Sequence, residues 1–186
     1  MIVCLDVGYD QNPNVDAEGD GSNSNDRALA AIVAFESWTD EEPLAKTAIE
    51  ISNVAAYVPG RFFERELPCL IAAIEEIKLL CPQDDVEMVI VDGNVCLDKN
   101  ETPGLGKYLY DHYQQRVPVI GVAKTSFNGL DASEIYRGDS KRPLFVTSAG
   151  IAETEAAELI QNMAGPHRIP TLLKLVDQMS RQFDMS

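Results

Sequence analysis

The order of apolar and polar positions along the chain predicts three strands before any helix. Residues 2–8 form an apolar run interrupted by one acid, and residues 28–36 and 44–52 each carry enough apolar residues to be strands. The first connection, residues 10–26, is rich in Gly, Asn, Ser and Asp, which favour turns over burial. Because loops rather than helices join the three segments, we predict an antiparallel meander.

The remainder of the chain changes to alternating helices and strands. Between residues 67 and 80, apolar positions recur with helical period and charged positions fall off that face, which predicts an amphipathic helix. Beyond it, the pattern predicts strands at 86–91, 117–123 and 144–147 and helices at 104–115, 152–163 and 170–183. The sequence therefore predicts one domain over residues 1–186, of the α/β class, with a mixed β-sheet flanked by helices.

Three acids stand out from this pattern. Asp6 interrupts the first apolar run, Asp92 ends another, and Glu66 lies at the start of the first predicted helix. A carboxylate in an apolar strand is costly to desolvate unless a cation compensates it, and divalent metals take such oxygen ligands. If the three acids converge, they form a metal site. The alternative makes Asp6 and Asp92 turn or cap residues and Glu66 a first-turn acid favoured by the helix dipole.

The charge of the chain opposes one class of partner. A net charge of -15 and a pI near 4.4 disfavour nucleic acid, because affinity for phosphates comes largely from Lys and Arg. The basic residues are nevertheless grouped locally, so a small basic surface on an acidic body stays open as an alternative to solvated charges. Examples are Arg61 with Arg65, and Arg137 with Lys141 and Arg142.

Apolar runs and cysteines indicate the compartment. No apolar stretch approaches the roughly 20 residues that cross a bilayer, and the first residues lack the basic flank of a secretory signal. The four cysteines show no Cys-x-x-Cys pairing, so we expect reduced thiols rather than disulfides or a zinc site. We therefore expect a cytoplasmic protein without a membrane partner.

Six short segments, in this order and at compatible spacing, resemble the endonuclease V family. They are residues 5–9 (LDVGY), 57–60 (YVPG), 63–66 (FERE), 91–93 (VDG), 120–124 (IGVAK) and 168–170 (RIP). The resemblance implies a ribonuclease H-like fold. It also implies hydrolysis of a phosphodiester bond in DNA or RNA near a deaminated purine, inosine, with Mg²⁺ or Mn²⁺ as cofactor.

The resemblance assigns catalytic roles to four residues of this chain. Asp6, Glu66 and Asp92 match the family's metal-binding acids, and Lys124 matches a lysine near the scissile phosphate. The chemistry agrees, because hydrolysis needs an activated water and a neutralised anionic transition state, and carboxylate-held metal supplies both. A lysine at the end of a strand is otherwise usually solvated.

Four further residues are implied to bind substrate. Tyr57 and Pro59 match the family's wedge, which separates the strands around an extruded base, while Gly60 and Gly93 let backbone approach that base closely. The alternative is a Pro-Gly turn with a packed tyrosine.

The chain departs from the family pattern at two places. The loop at residues 94–103 lacks the family's His-Pro step, which leaves the base specificity open. Ile151 replaces the histidine of a Gly-His step that we expect near the metals, and it can neither ligate nor transfer a proton. The two histidines, His112 and His167, do not align with that step and are expected to be structural or solvated.

Three functions follow from these matches and losses. The favoured one is a metal-dependent nuclease with intact acids and an altered pocket. The second is a non-catalytic relative that binds nucleic acid, and the third is an acidic protein-interaction module. Metal binding separates the first from the third, and cleavage separates the first from the second. DNA against RNA and the oligomeric state stay open.

Overall fold

A computed structural model describes residues 1–10, 27–52, 54–55, 58, 60–126 and 130–183. Within them, seven strands form one sheet with the order β3-β2-β1-β4-β5-β7-β6. The strands are β1 (Ile2–Tyr9), β2 (Ala28–Phe35), β3 (Ala45–Ile51), β4 (Met88–Asp92), β5 (Val119–Ala123), β6 (Ser133–Ile135) and β7 (Leu144–Ala149). The helices are α1 (Phe63–Leu80), α2 (Leu105–His112), α3 (Glu153–Asn162) and α4 (Thr171–Met179).

The sheet is mixed, as predicted. The first three strands form the expected antiparallel meander, β4 and β5 continue the sheet parallel to β1, and β7 and β6 close it antiparallel. The prediction missed β6, whose three residues are too few to show a period. It also extended the last helix to residue 183, whereas α4 ends at Met179.

Helices cover both faces of the sheet, because successive side chains of a strand point to opposite sides. Val3 and Leu5 of β1 pack in the core cluster with the buried residues of α1, whereas Ile2 and Cys4 pack in the cluster that contains Leu172 of α4. Strand β2 is buried along its whole length, since both faces are covered there. By this alternation Asp6, two residues after Cys4 in β1, also faces α4.

The parallel strands bring three predicted site residues to one edge of the sheet. Leu5 of β1 pairs with Val91 of β4, so Asp6 and Asp92 follow at adjacent positions. Lys124 comes directly after β5, which is parallel to β4. Asp6, Asp92 and Lys124 therefore lie near one another, because the carboxyl ends of parallel strands lie at the same side of a sheet.

The described cysteines are free thiols, and Cys4 and Cys69 are buried. Among the described residues, the helices are all too short or too polar to cross a membrane.

Candidate metal centre

Three aspartates meet where β1 and β4 end. One oxygen from each of Asp6, Asp92 and Asp177 can be chosen so that all three lie within 4.8 Å of one another. Asp177 comes from α4, which packs on the face of β1 that Asp6 also faces. The described part of the chain thus has a carboxylate cluster built by two neighbouring strands and the last helix.

Asp6 is the best enclosed of the two strand acids. Burial raises the pKa of its carboxyl, a hydrogen bond from Ser180 opposes that rise, and the charges of Asp92 and Asp177 add to it. The Ser180 Oγ donates to Asp6 Oδ2 at 2.6 Å. Without a cation, the ionised form of Asp6 is therefore disfavoured.

Two basic side chains neutralise part of the cluster. The Lys124 Nζ donates to Asp92 Oδ2 at 2.9 Å and to Asp177 Oδ1 at 2.8 Å, and Arg181 donates to the same Asp177 oxygen at 2.7 Å. Burial alone would lower the pKa of Lys124, but its hydrogen bonds to Asp177 and Asp92 raise it above the ordinary value. The Lys124 ammonium therefore stays charged and bridges two of the three aspartates.

Glu66 approaches the aspartates from the other face of the sheet. It lies in the first turn of α1, whose buried side chains belong to the opposite core cluster. Burial raises the pKa of Glu66 to about 8, the charges of Asp6 and Asp92 contribute, and Arg65 opposes them. The structure thus brings Asp6 and Asp92 together, and Glu66 lies near enough for their charges to raise its pKa but is not among the acids whose oxygens lie within 4.8 Å of one another.

The donor set of this site fits a hard divalent cation. Carboxylate oxygens are the ligands that Mg²⁺ and Mn²⁺ prefer, and the three aspartates carry more negative charge than Lys124 and Arg181 balance. The cluster lies beside a cleft between the sheet and α4 with an apolar lining. That lining includes Ile90, Val122, Leu144, Ile169, Leu173 and Val176.

The sequence analysis missed Asp177. Its signal is weak, because an acid in an amphipathic helix is usually solvated. The available clue is its spacing from Leu173, since residues four apart share a helix face and both line the cleft. The presence of an acid on the apolar face of the last helix could therefore have indicated Asp177 as a site residue.

The predicted substrate-binding glycines both have left-handed backbone conformations. Gly93, directly after Asp92, has φ +125° and its N–H donates to the Val122 carbonyl at 3.0 Å. Gly60 has φ +79° and lies three residues before α1. A Cβ at either position would meet no atom within 4 Å, so backbone conformation rather than packing favours glycine there. Tyr57 and Pro59 lie outside the described residues.

The altered loop after Gly93 is held by its own hydrogen bonds. The Asp98 carboxylate accepts from the backbone N–H groups of Asn100 and Thr102, at 2.8 Å and 3.1 Å. Asn94 is buried, and the described residues offer its Oδ1 no hydrogen-bond partner. The loop therefore contains a turn that the Asp98 carboxylate stabilises.

Ile151 does not lie where we expected it. Strand β7 runs antiparallel to β5, with Phe145 opposite Ala123 beside the site and Ala149 opposite Val119 at the far end. Ile151 comes two residues after Ala149 and packs against the core on the α4 face. The expectation that it replaces a group near the metals was wrong, because the strand leads away from the acids.

Comparison with known proteins supports one family. A model of the endonuclease V family matches residues 13–145, which is more than half of the chain. Asp6 and Asp177 fall outside that segment, whereas Glu66, Asp92 and Lys124 fall inside it. Among curated proteins, no match to this chain was found.

Solved structures show the same fold. Endonuclease V of Ciona intestinalis, in complex with a 24mer DNA containing an inosine followed by a ribo-adenosine, has a TM-score of 0.75 at 16% identity, covering 96% of this chain and 83% of that one. Bacillus subtilis endonuclease V gives 0.71 at 18% identity, covering 96% and 78%. The catalytic domain of human endonuclease V gives 0.70 at 23% identity, covering 96% and 80%.

These likenesses confirm the ribonuclease H-like fold that the sequence resemblance implied. A shared fold alone does not show family membership, but the family model also matches more than half of the sequence. On that match, the chain belongs to the endonuclease V family.

Proposed function

We propose that this protein is a metal-dependent endonuclease that hydrolyses phosphodiester bonds in DNA or RNA near deaminated purines such as inosine. The observation that carries the proposal is the group of Asp6, Asp92 and Asp177 oxygens within 4.8 Å of one another, at the end of parallel strands in an endonuclease V fold. The inosine-containing DNA bound by the Ciona intestinalis protein supports the substrate class.

Four carboxylates hold the cation in this proposal. Asp6, Glu66 and Asp92 are the predicted ligands, and Asp177 joins them from α4. Bound Mg²⁺ or Mn²⁺ supplies an activated water and neutralises charge in the transition state. The protein's part is to keep several carboxylates ionised and close together, which burial and mutual repulsion oppose in the absence of the cation.

Lys124 has two successive roles in this proposal. Its ammonium pairs with Asp92 Oδ2 and Asp177 Oδ1. If Asp92 and Asp177 held a cation, these ion pairs would weaken and would leave the lysine at the edge of the cluster. A released ammonium there lies where a phosphate approaches the acids, and a fixed positive charge stabilises the transition state.

Base recognition is assigned to the segments on either side of the acids. Gly93 directly follows Asp92, and Gly60 precedes the helix that carries Glu66, so a base held by their backbone lies next to the reacting phosphate. Tyr57 and Pro59 act as the wedge. The ordered loop after Gly93 sets the preference among bases.

The acidic surface limits how the substrate binds. With a net charge of -15, few phosphate contacts come from Lys and Arg, and the cation itself provides much of the attraction. We therefore expect binding that depends strongly on the divalent metal and only weakly on monovalent salt.

The experiment is a cleavage assay with labelled inosine-containing and unmodified oligonucleotides, as single and double strands of DNA and RNA, with Mg²⁺ or Mn²⁺. Asp92→Ala removes a proposed ligand, and Glu158→Ala removes an exposed acid of α3 as the matched control. We expect cleavage by the wild type and by Glu158→Ala, and none by Asp92→Ala. Metal binding without cleavage of any substrate would instead favour a non-catalytic relative.

A further inference from the structure

The end of the last helix lies directly on the first strand. A Cβ placed on Gly8 would come within 1.9 Å of the Ser180 carbonyl oxygen, so no residue with a side chain fits there without moving the backbone. Gly8 is two residues after Asp6, and Ser180 is three residues after Asp177. The contact therefore joins the two segments that carry these aspartates.

Ser180 is a buried polar residue inside that contact, with no exposed surface. Its Oγ donates to Asp6 Oδ2 at 2.6 Å and lies 3.0 Å from the Asp177 carbonyl oxygen. A hydroxyl has one hydrogen to donate, and a bond to an ionised carboxylate is shorter and stronger than a bond to a neutral carbonyl. The hydrogen therefore belongs mainly to Asp6.

We propose that Ser180 is a positioning residue of the metal centre, which orients the Asp6 carboxylate and, through the close contact at Gly8, holds Asp177 beside it. The inference rests on the proposed function, in which Asp6 and Asp177 hold the cation. It assigns a role to two residues, Gly8 and Ser180, that neither bind metal nor touch substrate.

The physical reason is that a carboxylate loses rotational freedom when it binds a cation. A carboxylate that rotates freely has to be ordered when it ligates, whereas one held by a hydrogen bond is already oriented. Ser180 supplies that bond to Asp6. Partners of this kind typically change metal affinity by about 10- to 100-fold when removed.

The test is Mn²⁺ binding to the full chain, measured by isothermal titration calorimetry without nucleic acid. Ser180→Ala removes the hydroxyl, and Leu172→Ala is its matched control, since Leu172 is a buried residue of the same helix, lies five residues before Asp177 and belongs to the apolar packing of the helix. We expect Ser180→Ala to weaken Mn²⁺ binding by about 10- to 100-fold. We expect Leu172→Ala to lower the melting temperature at least as much but to keep the wild-type affinity.

Two results would overturn the inference. One is wild-type Mn²⁺ affinity in Ser180→Ala, and the other is an equal loss of affinity in Leu172→Ala, which would make the effect one of helix packing. If Ser180→Ala does not fold, Ser180→Cys keeps a similar volume with a weak donor, and the same comparison applies.

The two proposals fail in different ways. A wild-type protein that binds no Mn²⁺ contradicts the proposed function and this inference with it. A wild type that binds Mn²⁺ and cleaves, beside a Ser180→Ala variant of equal affinity, contradicts the inference alone.

Discussion

Helices α1 and α4 each bring a carboxylate to the same two aspartates, from opposite faces of the sheet. Glu66 lies in the first turn of α1, where the helix dipole favours a negative charge, yet burial raises its pKa to about 8. Asp177 lies in the last turn of α4, where the dipole disfavours a negative charge, yet it pairs with Lys124 and Arg181. The helix dipole alone therefore accounts neither for the raised pKa of Glu66 nor for the presence of an acid at the end of α4.

The surroundings of the two acids therefore matter more to their charge interactions than their positions in the helices do. Desolvation is the largest cause of the pKa shift of Glu66, whereas Asp177 has two cations within 3 Å. On the α4 side two cations pair with one carboxylate, whereas on the α1 side burial outweighs the opposing charge of Arg65. In the proposed function, a bound cation would compensate the charge of Glu66 and would weaken the pairing of Lys124 with Asp177.

The largest expected effect tests whether the two helices are equivalent as ligand donors. We expect Glu66→Gln and Asp177→Asn each to lower the single-turnover cleavage rate by about 10³-fold, because several kcal/mol of transition-state stabilisation come from the metal and each tenfold in rate is about 1.4 kcal/mol. Glu158→Gln, an exposed acid of α3, is the control. Wild-type cleavage by Asp177→Asn would restrict the α4 acid to pairing with Lys124 and Arg181.

The next effect concerns pH and separates the two acids directly. Below the ordinary pKa of 4.5, Glu66 is protonated in both the folded and the unfolded protein; between 4.5 and about 8 the unfolded chain loses this proton while the folded protein keeps it. The folded metal-free protein therefore loses stability as pH rises through this window, on the order of a few kcal/mol from Glu66.

Urea unfolding in the presence of a chelator measures this dependence. We expect Glu66→Gln to flatten the fall in the free energy of unfolding, and Asp177→Asn to leave most of it in place. Equal slopes in wild type and Glu66→Gln would show that the carboxyl of Glu66 is hydrated in the folded protein.

A smaller effect tests the ion pairs of Lys124 on the α4 side of the site. In Lys124→Met, Mn²⁺ no longer competes with two partly exposed ion pairs, each worth about 0.2–1 kcal/mol, so we expect Mn²⁺ to bind up to about 30-fold more tightly. The cleavage rate should nevertheless fall, because the variant lacks the Lys124 ammonium near the phosphate. Lys174→Met, on the exposed side of the same helix, is the control for both measurements. Weaker Mn²⁺ binding in Lys124→Met would contradict the competition.

The smallest effect compares the two ends of the sheet. Ile151→His places a histidine beyond the far end of β7, so we expect Mn²⁺ affinity and cleavage rate to match the wild type. A gain in either measurement would mean that residue 151 reaches the acids, against the observed strand register.

Much of the fold followed from local patterns. Apolar runs with β-branched residues located β1 and β4, and an acid at the end of such a run is rare enough to single out Asp6 and Asp92. Once the two strands are adjacent and parallel, these acids are neighbours without any further information. Glu66 was accessible through the family resemblance, since the helical period begins only at Leu67 whereas α1 starts at Phe63.

Other features depended on contacts between distant segments. The position of Asp177 follows from which side of α4 meets β1, and that packing includes the close approach of Gly8 and Ser180. The error at Ile151 has a similar source, because hydropathy locates β7 but does not give its direction relative to β5.

By itself, the amino-acid sequence determined most of the elements, the mixed sheet and the two strand acids, since these depend on the period and interruption of apolar runs. Only the tertiary structure decided that Asp177 joins them, that Lys124 bridges Asp92 and Asp177, and that Ser180 donates a hydrogen bond to Asp6. The physical reason is that these hydrogen bonds and charges act over a few ångströms in space but connect residues that are far apart along the chain.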